Sequence, residues 1–318
     1  MPRSRRFGQF CAIVLLVTVG VIVWGAYVRA SKSGNGCGSH WPLCNGQVIP
    51  HAKTVQTVIE ATHRFTSGLA FILVAVQFVW ALRAFARGAA VRRTATAALV
   101  LMITEALVGA GLVLFEMVAG NTSTARAAWM AAHLMNTFAL LAALGLTVWH
   151  AHRDPVVTAA APAPVSAGFR PALLVGLAAI LATATSGAIA ALGDTLFPAR
   201  SLAEGFAQDF SPTAHLFLRV RLSHPALAVV TAAYLLVVAG MIASRDTAGR
   251  VRPFATVAAA LVLGQLALGF ANLALLAPTA LQLLHLLSAD AVWLAFVFLT
   301  AAVTAELRAA APAVRLAA

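Results

Sequence analysis

Long apolar stretches dominate this chain and recur at regular intervals along it. A helix of roughly 20 apolar residues is long enough to cross the ~30 Å hydrocarbon layer of a bilayer. Eight stretches of about that length are present, at residues 9–29, 60–82, 95–116, 127–149, 171–192, 215–243, 254–276 and 279–305. The pattern therefore predicts an all-α integral membrane protein with eight transmembrane helices.

Composition and charge agree with this prediction. Hydrophobic residues make up 61% of the 318 residues and charged residues only 10%, whereas about a quarter of the residues in a soluble protein are charged. The formal net charge of +12 would suggest a nucleic-acid partner in a soluble protein. Here the arginines cluster between alternate apolar stretches, as the positive-inside rule describes. We therefore expect membrane lipids as neighbours, no nucleic acid, and both termini in the cytoplasm.

The first 29 residues place a basic head before an apolar run, a pattern that also occurs in signal peptides. The run is longer than the roughly 7–15 residues of a signal-peptide core and has no clear small-residue cleavage site. We therefore interpret it as the first transmembrane helix. The basic head is too short for an organelle transit peptide. Together these features predict a multi-pass protein of a bacterial-type cell inner (plasma) membrane.

The chain divides into two halves with four apolar stretches each. Residues 151–170 are rich in Ala and Pro and predict a cytoplasmic linker between an N-terminal four-helix bundle, 1–150, and a C-terminal one, 171–318. Three segments of the first half align in order with three of the second, for instance VIEATHRFTSGLAFILVAV with RVRLSHPALAVVTAAYLLV. The halves are therefore predicted to be parallel repeats related by an axis along the membrane normal.

Four histidines lie near the outer ends of even-numbered stretches, at one membrane depth: His63, His133, His224 and His285. A single buried histidine most often makes a hydrogen bond between helices, and that alternative stays open. Four at matched positions favour metal ligation, because two imidazoles on facing helices can bind the metal of a flat macrocycle from both sides. Zinc is less favoured, since a closed site needs about four ligands. We therefore predict one heme in each half.

The position three residues before the first of these histidines differs between the halves. It is Glu60 in the first half and Arg221 in the second, on the histidine's helical face one turn nearer the outer surface. The carboxylate of Glu60 suits proton transfer or stabilisation of positive charge, with an ion pair to Arg64 as the structural alternative. Arg221 and Arg219 suit the propionates of a heme, and Arg64 could do the same in the first half. The first half is thus the candidate reaction site and the second a permanent cofactor site.

Two cysteines lie in the predicted outer loop after the first stretch, GAYVRASKSGNGCGSHWPLCNGQVIP. Cys37 and Cys44 can form a disulfide in an oxidising compartment. One interpretation is a structural staple of a Gly-rich loop, and the other is a redox-active pair that passes electrons out of the membrane. The matching loop of the second half has no cysteine.

The run VRASKSGNGC…WPLCNGQVIP, the E-x-x-H-R of residues 60–64 and the matched histidines resemble the heme A synthase family of cytochrome oxidase assembly proteins. The resemblance covers the whole chain. It implies oxidation of the C8 methyl group of heme O to a formyl group, through hydroxylated intermediates, giving heme A for terminal oxidases. It also implies that His63 and His133 hold the substrate heme in the N-terminal bundle, with Glu60 catalytic beside it.

The resemblance assigns further roles to the second half and to the outer loop. It implies that His224 and His285 ligate a resident heme b, and that Cys37 and Cys44 are the family's outer-loop pair. A heme O synthase is the expected donor of the substrate. The electron acceptor is not identified by the residues, and a homo-oligomer is a further option.

Three other functions share some of these features. A di-heme b-type electron-transfer cytochrome would use the same four histidines but gives no purpose to the difference between Glu60 and Arg221. A heme-handling chaperone would use the same ligands as the synthase. A transporter built from repeats usually has broken helices, for which Pro225 is the main sequence signal. Two intramembrane acids, Glu105 and Asp290, have no partner that the sequence identifies.

Overall fold

The computed structural model describes residues 3–51, 54–152 and 168–315. The described residues form nine α-helices and no strand. The helices are α1 Arg3–Ala30, α2 Val55–Ala84, α3 Ala90–Leu114, α4 Thr124–His152, α5 Phe169–Leu196, α6 Leu202–Asp209, α7 Leu216–Arg245, α8 Arg252–Ala274 and α9 Thr279–Arg315.

All but one of these helices can cross a membrane. Within the described residues, eight helices are long and apolar enough, and α6 is the short exception. Each coincides with one predicted stretch, so the all-α fold with eight transmembrane helices is confirmed. The predicted linker 151–170 lies largely outside the described residues, but α4 continues through His152 and α5 begins at Phe169.

Large apolar side chains on these helices point away from the protein. Leu16, Ile72 and Val230 are each more than half exposed, at 70%, 59% and 67%. A soluble protein would bury most such side chains, whereas a membrane protein presents them to lipid tails. The chain is therefore a multi-pass membrane protein.

The helices pack as two four-helix groups with the same order of neighbours. In the first group α1 contacts α2, α2 contacts α3, α3 contacts α4, and α4 contacts α1. In the second group α5, α7, α8 and α9 follow the same cycle. The groups meet through α1, α4, α5 and α9. This correspondence supports the parallel repeat, which stays a prediction.

The interface between the bundles combines apolar packing with polar contacts. Phe138 of α4 and Trp293 of α9 pack edge to face, with ring centroids 5.3 Å apart, and Trp293 Nε1 donates to the carbonyl of Phe138 at 2.7 Å. One core cluster of apolar residues continues through both bundles. The two halves are therefore one packed unit.

Arg29 makes a second connection between the bundles at the outer end of α1. Its guanidinium donates to the carbonyl of Ala191 at 2.9 Å and to Thr195 Oγ1 at 3.0 Å, both on α5. It also donates to Gln282 Oε1 of α9 at 3.0 Å. One side chain of the first half thus fixes two helices of the second.

The helix α7 continues through its internal proline. Pro225 follows His224 directly, and α7 still extends from Leu216 to Arg245. A broken helix at this position was the main sequence signal for a transporter, so the structure does not support that alternative.

We expect Arg29→Met to weaken the contact between the bundles. Interhelical hydrogen bonds in membrane proteins contribute about 0.6–1.7 kcal/mol each, so losing three is expected to lower the free energy of unfolding by roughly 2–4 kcal/mol. The midpoint of thermal unfolding of the detergent-solubilised protein measures this. Arg93→Met is the control, because Arg93 is exposed and bonds only the nearby carbonyl of Gly88. Equal midpoints in the two variants would contradict the role of Arg29.

Candidate functional site

Each of the four matched histidines lies beside a glycine of a neighbouring helix. A Cβ atom on Gly25 of α1 would lie 2.8 Å from Cε1 of His63, and one on Gly187 of α5 would lie 2.9 Å from Cε1 of His224. Real Cβ atoms essentially never approach so closely. The absence of a side chain at these two glycines is therefore what lets each imidazole occupy its position.

The second histidine of each half repeats this arrangement. A Cβ on Gly109 of α3 would lie 3.8 Å from Cε1 of His133, and one on Gly269 of α8 would lie 3.2 Å from Cε1 of His285. His63 interacts electrostatically with His133, and His224 interacts with His285. Each bundle therefore brings its two predicted histidines together.

Most of these imidazoles have a ring nitrogen that lacks a partner. Among the described residues, Nδ1 of His63, His133 and His285 is buried without a hydrogen bond, whereas Nδ1 of His224 lies 2.9 Å from Ser186 Oγ. Unpaired buried polar atoms are rare because each costs about 1–3 kcal/mol. Imidazoles with free bonding capacity are what a ligand would require.

The donor set fits a heme. Heme iron accepts imidazole nitrogens as ligands, and each bundle supplies two imidazoles beside small residues. A closed site for a single metal ion generally needs about four protein ligands. In the part of the chain that the structure describes, no group of three or more His, Cys, Asp or Glu side chains is arranged to hold a metal ion. His63 with His133, and His224 with His285, are therefore the residues that would hold a heme.

The outer loop after α1 is closed by the predicted disulfide. Cys37 and Cys44 are bonded to each other, and both are buried. The carbonyl of Cys37 accepts from the amide of Asn45 at 3.0 Å, and that of Gly36 accepts from Thr57 Oγ1 at 2.9 Å. The disulfide is therefore confirmed, and its loop is packed directly against the start of α2.

Glu60 connects this loop to the histidine-bearing helix. Its side chain is buried, Oε2 accepts from the backbone amide of Cys37 at 2.9 Å, and Oε1 accepts from Arg64 at 2.6 Å. Arg64 also donates to the carbonyls of His40 and Leu43 in the same loop. The ion pair considered from the sequence is thus present. It joins the disulfide loop to α2 one turn before the first histidine.

Arg221, at the matched position of the second half, joins its own loop through charges of opposite sign. It pairs with Asp209 at the end of α6 at 2.6 Å and with Asp194 of α5 at 3.3 Å. Arg219 donates to two carbonyls of the same loop, those of Pro212 and Ala214. A heme propionate at Arg221 would have to share the guanidinium with the carboxylates of Asp194 and Asp209. The role of Arg221 in fixing the loop accounts for its position, and no bound propionate is needed to explain it.

A model of the cytochrome oxidase assembly protein family (COX15-CtaA) matches residues 8–297. The chain belongs to this family. That membership agrees with the resemblance inferred from the outer loop and the histidines, and it extends over the structural elements that carry both pairs of imidazoles.

Related proteins carry two different names. A Thermus thermophilus protein named protoheme IX farnesyltransferase is 46% identical over 298 residues, 94% of this chain but 48% of the relative. Proteins named heme A synthase from Exiguobacterium sibiricum and Geobacillus kaustophilus are 35% and 37% identical, each over 36% of this chain and 38% and 36% of their own lengths. The chain thus spans about half the length of the Thermus relative.

Two polar clusters in this family member were not predicted from its sequence. Glu105 accepts from Asn136 Nδ2 at 2.6 Å and from Thr137 Oγ1, beside His133. The sequence also did not predict the helix α6 or the ion pair in which Arg221 donates to Asp209 at the end of α6. The alignment of Glu105 with Gln265 was the sequence signal for a special role of this position. Its partners lie on α4, however, and the sequence alone does not show which residues of α4 face α3. Asp290 is buried with no hydrogen-bond partner among the described residues.

We expect Asp209→Asn to loosen α6. The substitution removes a charge from an ion pair that is almost buried, with side-chain exposures of 12% and 9%, so amide hydrogen exchange over residues 202–210 should accelerate relative to the wild type. Glu306→Gln is the control, because Glu306 pairs with Arg250 at the other end of the helices. Unchanged exchange in Asp209→Asn would contradict an anchoring role for this pair.

Proposed function

We propose that this protein is a heme A synthase, which oxidises the C8 methyl group of heme O to a formyl group through hydroxylated intermediates, for terminal oxidase biogenesis. The observation that carries the proposal is the arrangement of two half-buried histidines in each bundle, each beside a glycine. Family membership and relatives named heme A synthase support it.

The two bundles are assigned different hemes. His63 and His133 would hold the substrate, because Glu60 and the disulfide loop lie next to this pair only. His224 and His285 would hold a resident heme b, in a bundle whose outer loop is held by ion pairs. The bound hemes supply the redox chemistry, and the protein supplies orientation and charge.

Glu60 is the proposed catalytic residue. It lies one turn from His63, and both of its oxygens already accept hydrogen bonds from the loop or from Arg64. Oxidation of a methyl carbon removes electrons and protons from it, so a negative charge fixed nearby stabilises the developing positive charge and offers a proton acceptor. The hydrogen bond from Cys37 holds that charge in place.

The disulfide is a candidate electron acceptor as well as a staple. Each of the two hydroxylations removes two electrons and two protons from the methyl carbon and adds one hydroxyl oxygen taken from water, and the resulting gem-diol loses water to give the formyl group. Two electrons and two protons convert the bonded sulfur atoms of Cys37 and Cys44 into two thiols, so the pair would be reduced once for each hydroxylation. The backbone amide of Cys37 donates to Glu60, so the disulfide lies next to the carboxylate proposed to be catalytic. A further electron acceptor outside the membrane would then reoxidise the pair.

The cellular setting follows from the same assignment. A heme O synthase would hand over the substrate, and the protein would lie in a bacterial-type plasma membrane with both termini in the cytoplasm. The arginine distribution supports this orientation.

Farnesyl transfer to heme is the second candidate function, and one observation favours it. The relative with 46% identity is named protoheme IX farnesyltransferase. The alignment covers 48% of that relative, so about half of the relative's length lies outside the match. The assay below distinguishes the two activities by their products.

The test is extraction and chromatography of hemes, with mass analysis, from membranes of a host that makes heme O but lacks its own heme A synthase. Wild type is expected to yield heme A or its hydroxylated precursor, and Glu60→Gln and His63→Ala are expected to yield neither. His215→Ala is the control, because within the described residues the His215 ring at the start of α7 accepts from the amide of Phe217 and packs against Phe197 and Phe217, in the other bundle. Heme A from Glu60→Gln would disprove the catalytic role of Glu60.

A companion host that makes only protoheme tests the alternative. New heme O there would establish farnesyl transfer. Heme b in every sample, with no other product in either host, would instead indicate an electron-transfer cytochrome.

We also expect Gly25→Ala to reduce heme binding in the N-terminal bundle. The added Cβ would collide with the ring of His63, so the heme content of the purified protein should fall towards that of His63→Ala. Gly20→Ala on the same helix is the matched control, because a Cβ there has no other atom within 4 Å. Equal heme content in the two glycine variants would show that His63 does not need this space.

A further inference from the structure

Glu105 of α3 lies behind His133 and is oriented by α4. Its Oε1 is 3.5 Å from Nδ1 of His133. Asn136 Nδ2 donates to Oε2 at 2.6 Å, and Thr137 Oγ1 donates to Oε1. Asn136 is itself fixed, since it donates to the carbonyl of Leu101 at 2.9 Å. The carboxylate is therefore held in one place, facing the ring nitrogen.

The second bundle has a neutral group at the matched position. Gln265 of α8 lies with Nε2 3.3 Å from Nε2 of His285, and its Oε1 has no partner among the described residues. Asn136 and Thr137, which orient Glu105, follow His133 by three and four residues. The residues at the same distances after His285 are Ser288 and Ala289. In the first bundle an anion thus faces Nδ1 of the second histidine, and in the second bundle an amide faces Nε2, which leaves the other ring nitrogen of each histidine for a ligand.

Joining α3 to α4 is the simplest role for Glu105, but it does not explain all of its surroundings. Bonds from Asn136 and Thr137 would satisfy that role. A glutamine could also serve it, with its one oxygen accepting from Asn136 and its amide nitrogen facing the Thr137 hydroxyl. Oε1 also approaches Nδ1 of His133. At this contact a carboxylate offers a negatively charged acceptor, which a glutamine does not. At 3.5 Å the separation exceeds a normal hydrogen bond, but a small ring rotation on ligand binding would close it, as polar contacts in ligand-free sites often tighten.

We propose that Glu105 is a positioning residue that accepts a hydrogen bond from Nδ1–H of His133 and leaves Nε2 directed to the iron of the substrate. The inference rests on the proposed function, since it takes His133 as a ligand. Metal-ligating histidines commonly donate their second N–H to a carboxylate, which fixes the ring and makes it a stronger donor. An imidazole backed by an anion stabilises ferric over ferrous iron more than one backed by an amide.

The consequence is a built-in difference between the two bundles. The N-terminal heme is expected to have the lower midpoint potential, because Glu105 stabilises its oxidised form. The C-terminal heme, backed by Gln265, is expected to be reduced more readily. Electrons removed at the substrate site would then pass energetically downhill to the resident heme.

The test exchanges the two residues in the full chain, as Glu105→Gln and Gln265→Glu. Purified protein is loaded with protoheme IX, and both the binding affinity and the midpoint potential of each heme are measured by absorbance titration. His63→Ala and His224→Ala identify which signal belongs to which bundle. These readouts do not depend on turnover. Glu105→Gln keeps an oxygen for the bond from Asn136, and its amide nitrogen faces the Thr137 hydroxyl, which can accept because it also donates to the carbonyl of His133.

In Glu105→Gln, the N-terminal midpoint is expected to rise and heme affinity there to fall about 10- to 100-fold, the usual range for loss of such a partner, with the C-terminal heme unchanged. Gln265→Glu is expected to lower the C-terminal midpoint. Thr137→Val keeps the charge but removes one orienting bond, so a smaller rise is expected, and it serves where Glu105→Gln does not fold.

Two results would overturn the inference, and they differ. Wild-type midpoint and affinity in Glu105→Gln would show that Glu105 does not act on His133, while leaving the synthase proposal intact. If His133→Ala bound protoheme IX with the same affinity and midpoint potential as the wild type, His133 would not be a ligand. The proposed function, which takes His133 as a ligand, would then fail as well.

Discussion

Polar groups inside a bilayer have no water to bind, and this constraint shapes the whole protein. Each buried charge must find a partner on another helix or in a loop, because an unpaired one is costly in hydrocarbon. Glu60 is paired with Arg64 and a backbone amide, and Arg29 bonds two helices of the other bundle. The exceptions are therefore informative. Among the described residues, Nδ1 of three histidines and both oxygens of Asp290 lack a hydrogen-bond partner, and the histidines are the residues proposed to hold a heme.

The two bundles solve the same structural problem with different chemistry. Each must fix an outer loop over the helix that bears its first histidine. The first uses a disulfide and a buried carboxylate, and the second uses a guanidinium between two aspartates. A disulfide can be opened by reduction, whereas the ion pairs cannot. The covalent structure of the first loop can thus change with redox state, whereas that of the second cannot. This difference would suit the proposed exchangeable substrate in one half and the proposed retained cofactor in the other.

The sequence predicts what depends on composition and periodicity, and fails where distant segments meet. The eight spans follow from hydropathy alone, and the four histidines from their matched offsets. Pairing of Cys37 with Cys44 follows from their proximity in one loop. The partners of Glu105 and Arg221 come from other segments, so their identity depends on how helices pack. The short helix α6 was missed because it lacks the length and hydropathy of a span.

The packing of both bundles within one chain has a consequence for how their chemistry could diverge. In a symmetric dimer of identical four-helix subunits, any substitution appears at both equivalent positions. A carboxylate introduced at one site would then be present at the other, together with the same loop and the same histidine environment. A single chain removes that restriction. Position 60 can hold an acid while position 221 holds a base, with Arg29 and the Trp293–Phe138 contact keeping the unlike halves together. Covalent linkage is thus what allows one architecture to hold two inequivalent sites in a fixed one-to-one ratio.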